Sequence, residues 1–272
     1  MLTNLTLSSE SYQLTAQDKP NEAGKKIIRQ ARTCVAKLLV TTNPGILTVS
    51  QRSGAVGPLL KLIKDNDSMD LMHFEALMSL TNLVGFDNET KNRVVAQKGI
   101  PTLGYSMFSD HEMVRQAATE ALCNMVGNPE FMEYLKKQDN LLVWIAFSLD
   151  YDANFVCARA AIGCLAMACV DPEIAKAIVK SEKFDELIKT LLECGQLEMM
   201  HRVLALILDL IEQGGECRDA VVATGAGPFC DAILTNFSDE KKTQKEFDFS
   251  PAERASLGPT LGLAKEVVGL LK

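Results

Sequence analysis

Two stretches share an unusual ending. FEALMSLTNLVGF, over 74–86, is an apolar helix pattern that closes on Leu-x-Asn-Leu before a glycine, and TEALCNMVGN, over 119–128, repeats it. Asn82 and Asn124 stand 42 residues apart, and the same register continues at Leu165-Ala-Met167-Ala168 and Ile207-Leu-Asp209-Leu210, at steps of 43 and 42. A fixed period of that size is the signature of a helical solenoid, in which each unit buries its apolar face only against its neighbours. The length of 272 residues therefore does not translate into one or two ordinary cores.

The order within each period is also constant. After Gly85-Phe86-Asp87 the pattern predicts a short helix over 88–98, a turn at Gly99, a middle helix over 100–108 and a long helix over 111–126. The next sets are 129–137, 141–149 and 154–170, then 172–180, 184–192 and 198–213, then 216–223 and 228–237. Upstream, Ile27, Ile28, Ala31, Cys34, Val35, Leu38 and Leu39 fall at helical spacing as one core-facing stripe. There the pattern predicts a short helix over 46–52, a turn at Ser53-Gly54 and a second helix over 55–64. The last helix is expected in two pieces, 251–257 and 260–271, because Pro259 removes a backbone donor and clashes with the preceding turn. Three helices per unit, with Gly-Ile-Pro-x-Leu at 99–103 marking the turn, favour the armadillo version of this period over the two-helix HEAT version. The fold class expected is all-α: a right-handed superhelical solenoid of armadillo repeats, three helices and about 42 residues each.

The start of the chain is different. Leu2-Thr3-Asn4-Leu5 copies the repeat ending, and a polar stretch follows to Asn21. Residues 1–22 read as a partial repeat end and polar linker, and 23–272 as the repeat domain. The charged stretch 238–250 reads as a loop.

Composition narrows the function classes. A formal charge of −7, with basic residues scattered, argues against nucleic acid or anionic lipid as partner. The eight cysteines form no CxxC pair and fit small core positions, which argues for reduced thiols rather than a zinc site or disulfide frame. No secretory leader is evident, and the longest apolar run is too short to span a bilayer, so a soluble cytoplasmic protein is expected. His73, His111 and His201 sit near starts of long helices, and no metalloprotease motif, phosphate loop or nucleophile–base order accompanies them. Neither an enzyme nor a cofactor or metal is expected. Trp144 reads as packing between repeats.

What remains is binding. In an armadillo stack the third helix of each repeat lines the inner face, and an Asn there offers both a donor and an acceptor to an extended partner. The candidates are Asn82 and Asn124, with Met78 and Glu75 before the first and Glu120 and Gln116 before the second. Asn near a helix end can equally cap backbone carbonyls; its recurrence at 42 residues favours the groove. The ladder breaks at Met167 and Asp209, so Arg159, Arg202 and Asp209 give the second half a different character.

Several stretches resemble a known family closely. TTNPG at Thr41, GPLLKLI at Gly57, FEALMSLTNLVG at Phe74, MFSDHEMVRQAATEALCNM at Met107, RAAIGCLAM at Arg159 and HRVLALILDLIE at His201 are similar to the UCS-domain myosin chaperones of the UNC-45 type. The resemblance covers about Gly24 to Leu271. It implies a chaperone or co-chaperone that holds the myosin motor domain in its groove and assists folding and assembly, with Asn82 the first contact to examine. Members with three regions also carry a TPR module that recruits the ninety-kilodalton heat-shock chaperone. No TPR-like period precedes Gly24, so that partner would be reached through a region not seen here. The alternative is a general armadillo adaptor for linear peptides of the nuclear-import or scaffold type.

Overall fold

The structure is a computed structural model that describes residues 22–237 and 251–272, without the side chains of 251–253. The echo of the repeat ending at 2–5, the polar linker and the 238–250 loop lie outside the described residues. Every regular element among those described is helical. The chain falls into two compact units, Met1–Phe131 and Met132–Lys272.

The first unit contains α1 (Glu22–Thr41), a 3-10 turn (Pro44–Ile46), α2 (Val49–Ile63), α3 (Asp70–Val84), α4 (Asn88–Ala96), α5 (Gly99–Ser106) and α6 (Glu112–Cys123), and α7 (Pro129–Leu135) begins in it. The long helices α1, α3 and α6 pack side by side, α3 between the other two. Leu77, Leu80, Leu83 and Leu122 on these helices are completely buried, each worth about 1.5–3 kcal/mol of transfer free energy. Small hydroxyls let the helices approach. Ser79 Oγ lies 2.8 Å from Ala36 O on α1, and Thr81 Oγ1 lies 3.3 Å from Ala117 O on α6.

Local sequence sets the helix starts. Thr48 and Gln51 form a capping box on α2, and Asp87 caps α4 by accepting from Thr90 N at 2.7 Å. Asp87 also receives the Nε–H of Arg52, a buried arginine whose Nη1 donates to the carbonyls of Pro44 and Leu47. The Arg52 guanidinium sits 4.7 Å over the Phe86 ring. Burial works against the charge on Asp87, but the Thr90 hydrogen bonds and the guanidinium outweigh it and hold the carboxyl below its ordinary range. One side chain thus ties together the turn before α2, the end of α3 and the start of α4.

The second unit contains α8 (Gln138–Leu149), α9 (Phe155–Ala168), α10 (Pro172–Val179), α11 (Phe184–Glu193), α12 (Leu197–Gln213), α13 (Gly215–Ala223), α14 (Ala226–Asn236) and α15 (Pro251–Leu271). Here α9, α12 and α15 are the long helices, with α12 packed between α9 and α15. Trp144 on α8 is completely buried. All eight cysteines are free thiols, five of them buried, while Cys34 is exposed.

Four expectations need correction. The short helix over 46–52 and the turn at Ser53-Gly54 do not exist as such: Val49–Ile63 is one helix, with Pro58 inside it. Gly54 meets nothing within 4 Å of its would-be Cβ, and its helical cost of about 1 kcal/mol is too small to break a helix packed on both sides of it. The last helix is likewise continuous through Pro259. Pro259 lies on the exposed side, where water can reach the carbonyl it frees, while Leu257, Thr260, Ala264 and Val267 anchor the helix through buried positions. On α1 the stripe is rotated. Thr33, Val35, Ala36 and Leu39 are buried, whereas Ile27 and Leu38 are 63% and 58% exposed. Helical spacing identifies a face but not which neighbour covers it. Finally, the turn before α5 is made by Lys98, at φ 54°, and not by Gly99. Gly99 is needed for space: a Cβ there would stand 2.4 Å from Val94 Cγ1 and 2.9 Å from Val94 O.

Candidate partner-binding face

In the first unit α3 presents Glu75, Met78 and Asn82 at i, i+3 and i+7, and α6 presents Gln116, Glu120 and Asn124 at i, i+4 and i+8. All six are half-buried, so the structure brings the six sequence candidates of this unit onto two adjacent helices.

The asparagines do more than face outward. Asn82 Nδ2 donates to Val40 O at 2.8 Å, with Leu39 O at 3.4 Å, both in the last turn of α1. Asn124 Nδ2 donates to Thr81 O at 3.1 Å, in the last turn of α3. Carbonyls in a last helical turn lack intrahelical donors, and Asn82 supplies one to Val40 O; Thr81 O already accepts from Gly85 N at 3.1 Å, and Asn124 adds a second bond to it. Of the two glycines that follow these motifs, Gly85 has a matching role, while Gly127, at φ 87°, meets nothing within 4 Å of its would-be Cβ. A Cβ on Gly85 would stand 3.1 Å from Asn124 Nδ2 and 3.2 Å from Thr81 O, so a bare Cα leaves room for the amide. With Nδ2 turned toward the neighbouring helix, Oδ1 is the atom left to accept a hydrogen bond from a partner.

The neighbours are polar. Gln116 Nε2 donates to Glu112 Oε1 at 2.9 Å, and Glu75 Oε2 is shielded from solvent and meets no hydrogen-bond donor among the described residues.

In the second unit the register positions of the asparagines are Met167, 47% exposed, and Asp209, half-buried. Neither donates to the preceding helix. The amide reappears one turn later, where Gln213 Nε2 lies 3.3 Å from both Cys169 O and Val170 O. Sequence reasoning missed Gln213 because it sought the amide at a fixed period; a glutamine at i+4 from Asp209 was the available signal. Asp209 instead accepts from the Cys169 thiol, whose proton is shared between Asp209 Oδ2 at 3.6 Å and Ala166 O at 3.3 Å. Burial pushes the Asp209 carboxyl above its usual range despite that bond, and burial together with the Asp209 charge raises the thiol.

At the other end of the same helices, Arg159 Nη1 is 3.3 Å from Glu198 Oε2 and Arg202 Nη1 is 3.6 Å from the same oxygen. Arg202 also donates to Glu198 O at 2.8 Å. The three second-unit candidates therefore occupy one pair of helices, with the arginines at its N-terminal end and Asp209 at its C-terminal end.

Catalytic groupings are not apparent among the described residues. The three histidines are separate: His73 Nε2 is 3.1 Å from Asp65 O, His201 Nδ1 is 3.3 Å from Thr260 Oγ1, and His111 Nδ1 is buried in the turn before α6. Among the described residues no group of three or more His, Cys, Asp or Glu could hold a metal ion, and no helix is long and apolar enough to cross a membrane.

No protein-family model matches the chain. Protein unc-45 homolog B of Danio rerio is 30% identical over 243 residues, covering 87% of this chain and 25% of that protein. The chain thus spans about a quarter of the length of the curated relatives it matches. In fold it is similar to UNC-45 from Drosophila melanogaster, with TM-score 0.79 and 21% identity over 99% of this chain and 30% of that one. The myosin chaperone UNC-45 from C. elegans, solved in complex with a Hsp90 peptide, gives TM-score 0.71 and 20% identity over 97% of this chain and 26% of that one. A designed armadillo repeat protein matches over the full length of both chains, with TM-score 0.72 and 18% identity. In sequence the chain is similar to the UNC-45 proteins, and in fold it is an armadillo-repeat solenoid like theirs.

Proposed function

We propose that this chain is a myosin-directed chaperone or co-chaperone region, which binds the motor domain through the exposed face of its long helices and assists folding and assembly. The observation that carries the reading is the similarity to unc-45 homolog B along 243 residues, a stretch that takes in most of the chain. The face supports it in kind. The first unit offers amide oxygens and the apolar Met78, and the second offers the apolar Met167 and separated charges, which suit the holding of an exposed segment rather than bond-making chemistry. The C. elegans relative was solved in complex with a Hsp90 peptide, and a role beside that chaperone belongs to the same proposal. The cytoplasm is the compartment in which we place it.

A general armadillo adaptor for basic linear peptides is the competing reading. A uniform peptide rail needs an amide at every rung, and Met167 and Asp209 interrupt it. The deciding measurement is a pull-down with a myosin motor fragment and a basic localisation peptide side by side. Capture of partly unfolded motor supports the chaperone reading. Capture of the basic peptide with indifference to the motor overturns it in favour of the adaptor.

A further inference from the structure

The helix α1 has one side that no described residue covers. Ile27, Ala31, Cys34 and Leu38 stand at i, i+4, i+7 and i+11, one apolar line along the helix. Ile27 is 63% and Leu38 58% exposed, and Cys34 is exposed as well. The repeat shows what this line ordinarily meets. At steps of 42 and 43, Leu38 becomes Leu80, Leu122, Leu165 and Ile207, and Cys34 becomes Ala76, Ala118, Ala161 and Val203, all of them completely buried. Helix α3 has a long helix on each side, whereas α1 has one on a single side among the described residues. Beside the apolar line runs a polar one, Lys26, Gln30 and Lys37, all exposed. Lys25 and Arg29 are held in ion pairs by Glu22 and by Asp65 and Asp67. Lys26 and Lys37 make no ion pair among the described residues and are the charges an incoming group would meet.

We infer that this edge docks an amphipathic helix of a partner protein, apolar along one line and acidic on the flanks of that line. The edge is separate from the face of α3 and α6, and the inference does not rest on the motor-binding reading. A helix is the shape selected for two reasons. The 4-3-4 spacing of the line is the seam of a two-helix packing, and helices cover the same positions in later repeats. Ala31 and Cys34, small residues at the middle of the line, let the partner's backbone come close, while Ile27 and Leu38 supply apolar area at both ends. Ile27 and Leu38 are 11 residues apart, about 16 Å along the axis, so the partner helix needs about three turns. Charge selects the flank. Lys26 and Lys37 stand one toward each end of the line, where acids are attracted and bases repelled. The same charges disfavour other occupants. A second copy of α1 would set one basic edge against another, and the leucines of 1–9 in this chain have no acid among them.

The test uses the whole chain and three labelled helical peptides of about 18 residues, long enough to span the edge. One has a Leu/Ala line at 4-3-4 spacing with Glu on both flanks, one has the same line with Lys flanks, and one has Glu flanks with Ser in place of the line. Fluorescence anisotropy at low salt should give the Glu-flanked apolar peptide roughly tenfold tighter binding than the Lys-flanked one, in line with two exposed charge pairs, and no binding of the Ser peptide. Bound peptide should slow alkylation of Cys34, followed by mass spectrometry. Lys26→Glu together with Lys37→Glu should reverse the flank preference. Leu38→Asp, at an exposed position, should abolish binding and leave the melting temperature unchanged, and Ile27→Asp takes its place if circular dichroism shows a loss of fold. No binding of the Glu-flanked peptide, equal binding of both flanks, binding that survives the folded variant, or unaltered Cys34 alkylation overturns the inference. So does a Cys34 already protected without peptide. Protection that fades on dilution assigns the edge to a second copy, and protection independent of concentration assigns it to another stretch of this chain.

Discussion

Asn82 donates its side-chain amide to Val40 O at 2.8 Å, across to a helix 42 residues earlier in the chain. The bond repeats between Asn124 and Thr81 and returns, displaced by one turn, between Gln213 and Cys169. The recurring amide is thus a joint between consecutive repeats as well as part of the candidate face.

Removing the joint should therefore cost stability. Asn82→Ala or Asn124→Ala is expected to lower unfolding free energy by about 1 kcal/mol each, the usual size of a lost cap or hydrogen bond. Asn82→Asp should cost more, because a carboxylate would face helix-end carbonyls and the negative end of the α1 dipole. Chemical denaturation of the three variants measures this. If Asn82→Ala and wild type unfold at the same denaturant midpoint, the joint contributes nothing.

Asp209 sets a dependence in the acid range. Its folded pKa lies above the ordinary 3.8 because of burial, so the folded state holds the proton more tightly than the unfolded chain. Stability from the neutral form is present below the folded pKa and is lost as pH rises through it. Asp209→Asn should then raise the melting temperature at pH 7 and leave it nearly unchanged at pH 3. Melting curves of the two proteins at both pH values decide the matter, and an equal effect at both removes the linkage.

His201 acts in the opposite direction. Burial, and then the neighbouring Arg202, depress its pKa below 6.5, so the unfolded chain binds the proton more readily. Stability should fall as pH drops below about 6.5 and stop falling beneath the folded pKa. The hydroxyl proton of Thr260 points to Ser256 O at 2.7 Å, which leaves Thr260 Oγ1 to accept from His201 Nδ1. His201→Gln, which retains a donor at this contact between α12 and α15, should flatten the stability profile between pH 6.5 and 5. An unaltered slope in that interval would assign it to other groups.

The turn before α5 gives a steric prediction. Gly99→Ala places a Cβ 2.4 Å from Val94 Cγ1 and 2.9 Å from a backbone carbonyl, and should destabilise by about 1–3 kcal/mol as overpacking. Lys98→Gly should do the reverse by about 1 kcal/mol, since a left-handed φ of 54° suits glycine. Paired melts of the two variants test which residue carries the turn and which the close approach.

Much of this protein was legible in its sequence. The period of about 42, the three-helix order and the UNC-45 likeness were all readable from apolar spacing and from stretches such as 74–86 and 201–212. Leu80 and Leu122 were recognisable as core because helical spacing alone puts them on the apolar face, and both are fully buried. Trp144 belonged to the core for the same reason. Local patterns failed where a local rule met a tertiary partner. Pro259 and Gly54 weaken a helix by amounts that packing can offset, so neither broke one.

The sequence by itself determined the repeat, because side-chain periodicity follows from the backbone geometry of a single helix. Only the tertiary structure decided what each polar rung does, because that depends on which carbonyl of a neighbouring helix comes within 3 Å or so of an amide. Asn82 and Asn124 look like free groove residues in a string of letters, and across the helix pair they are bonded to Val40 and Thr81. Asp209, at the same register, has no N–H to give, so its helix makes the joint with Gln213 one turn further on, and the carboxylate instead accepts from the Cys169 thiol.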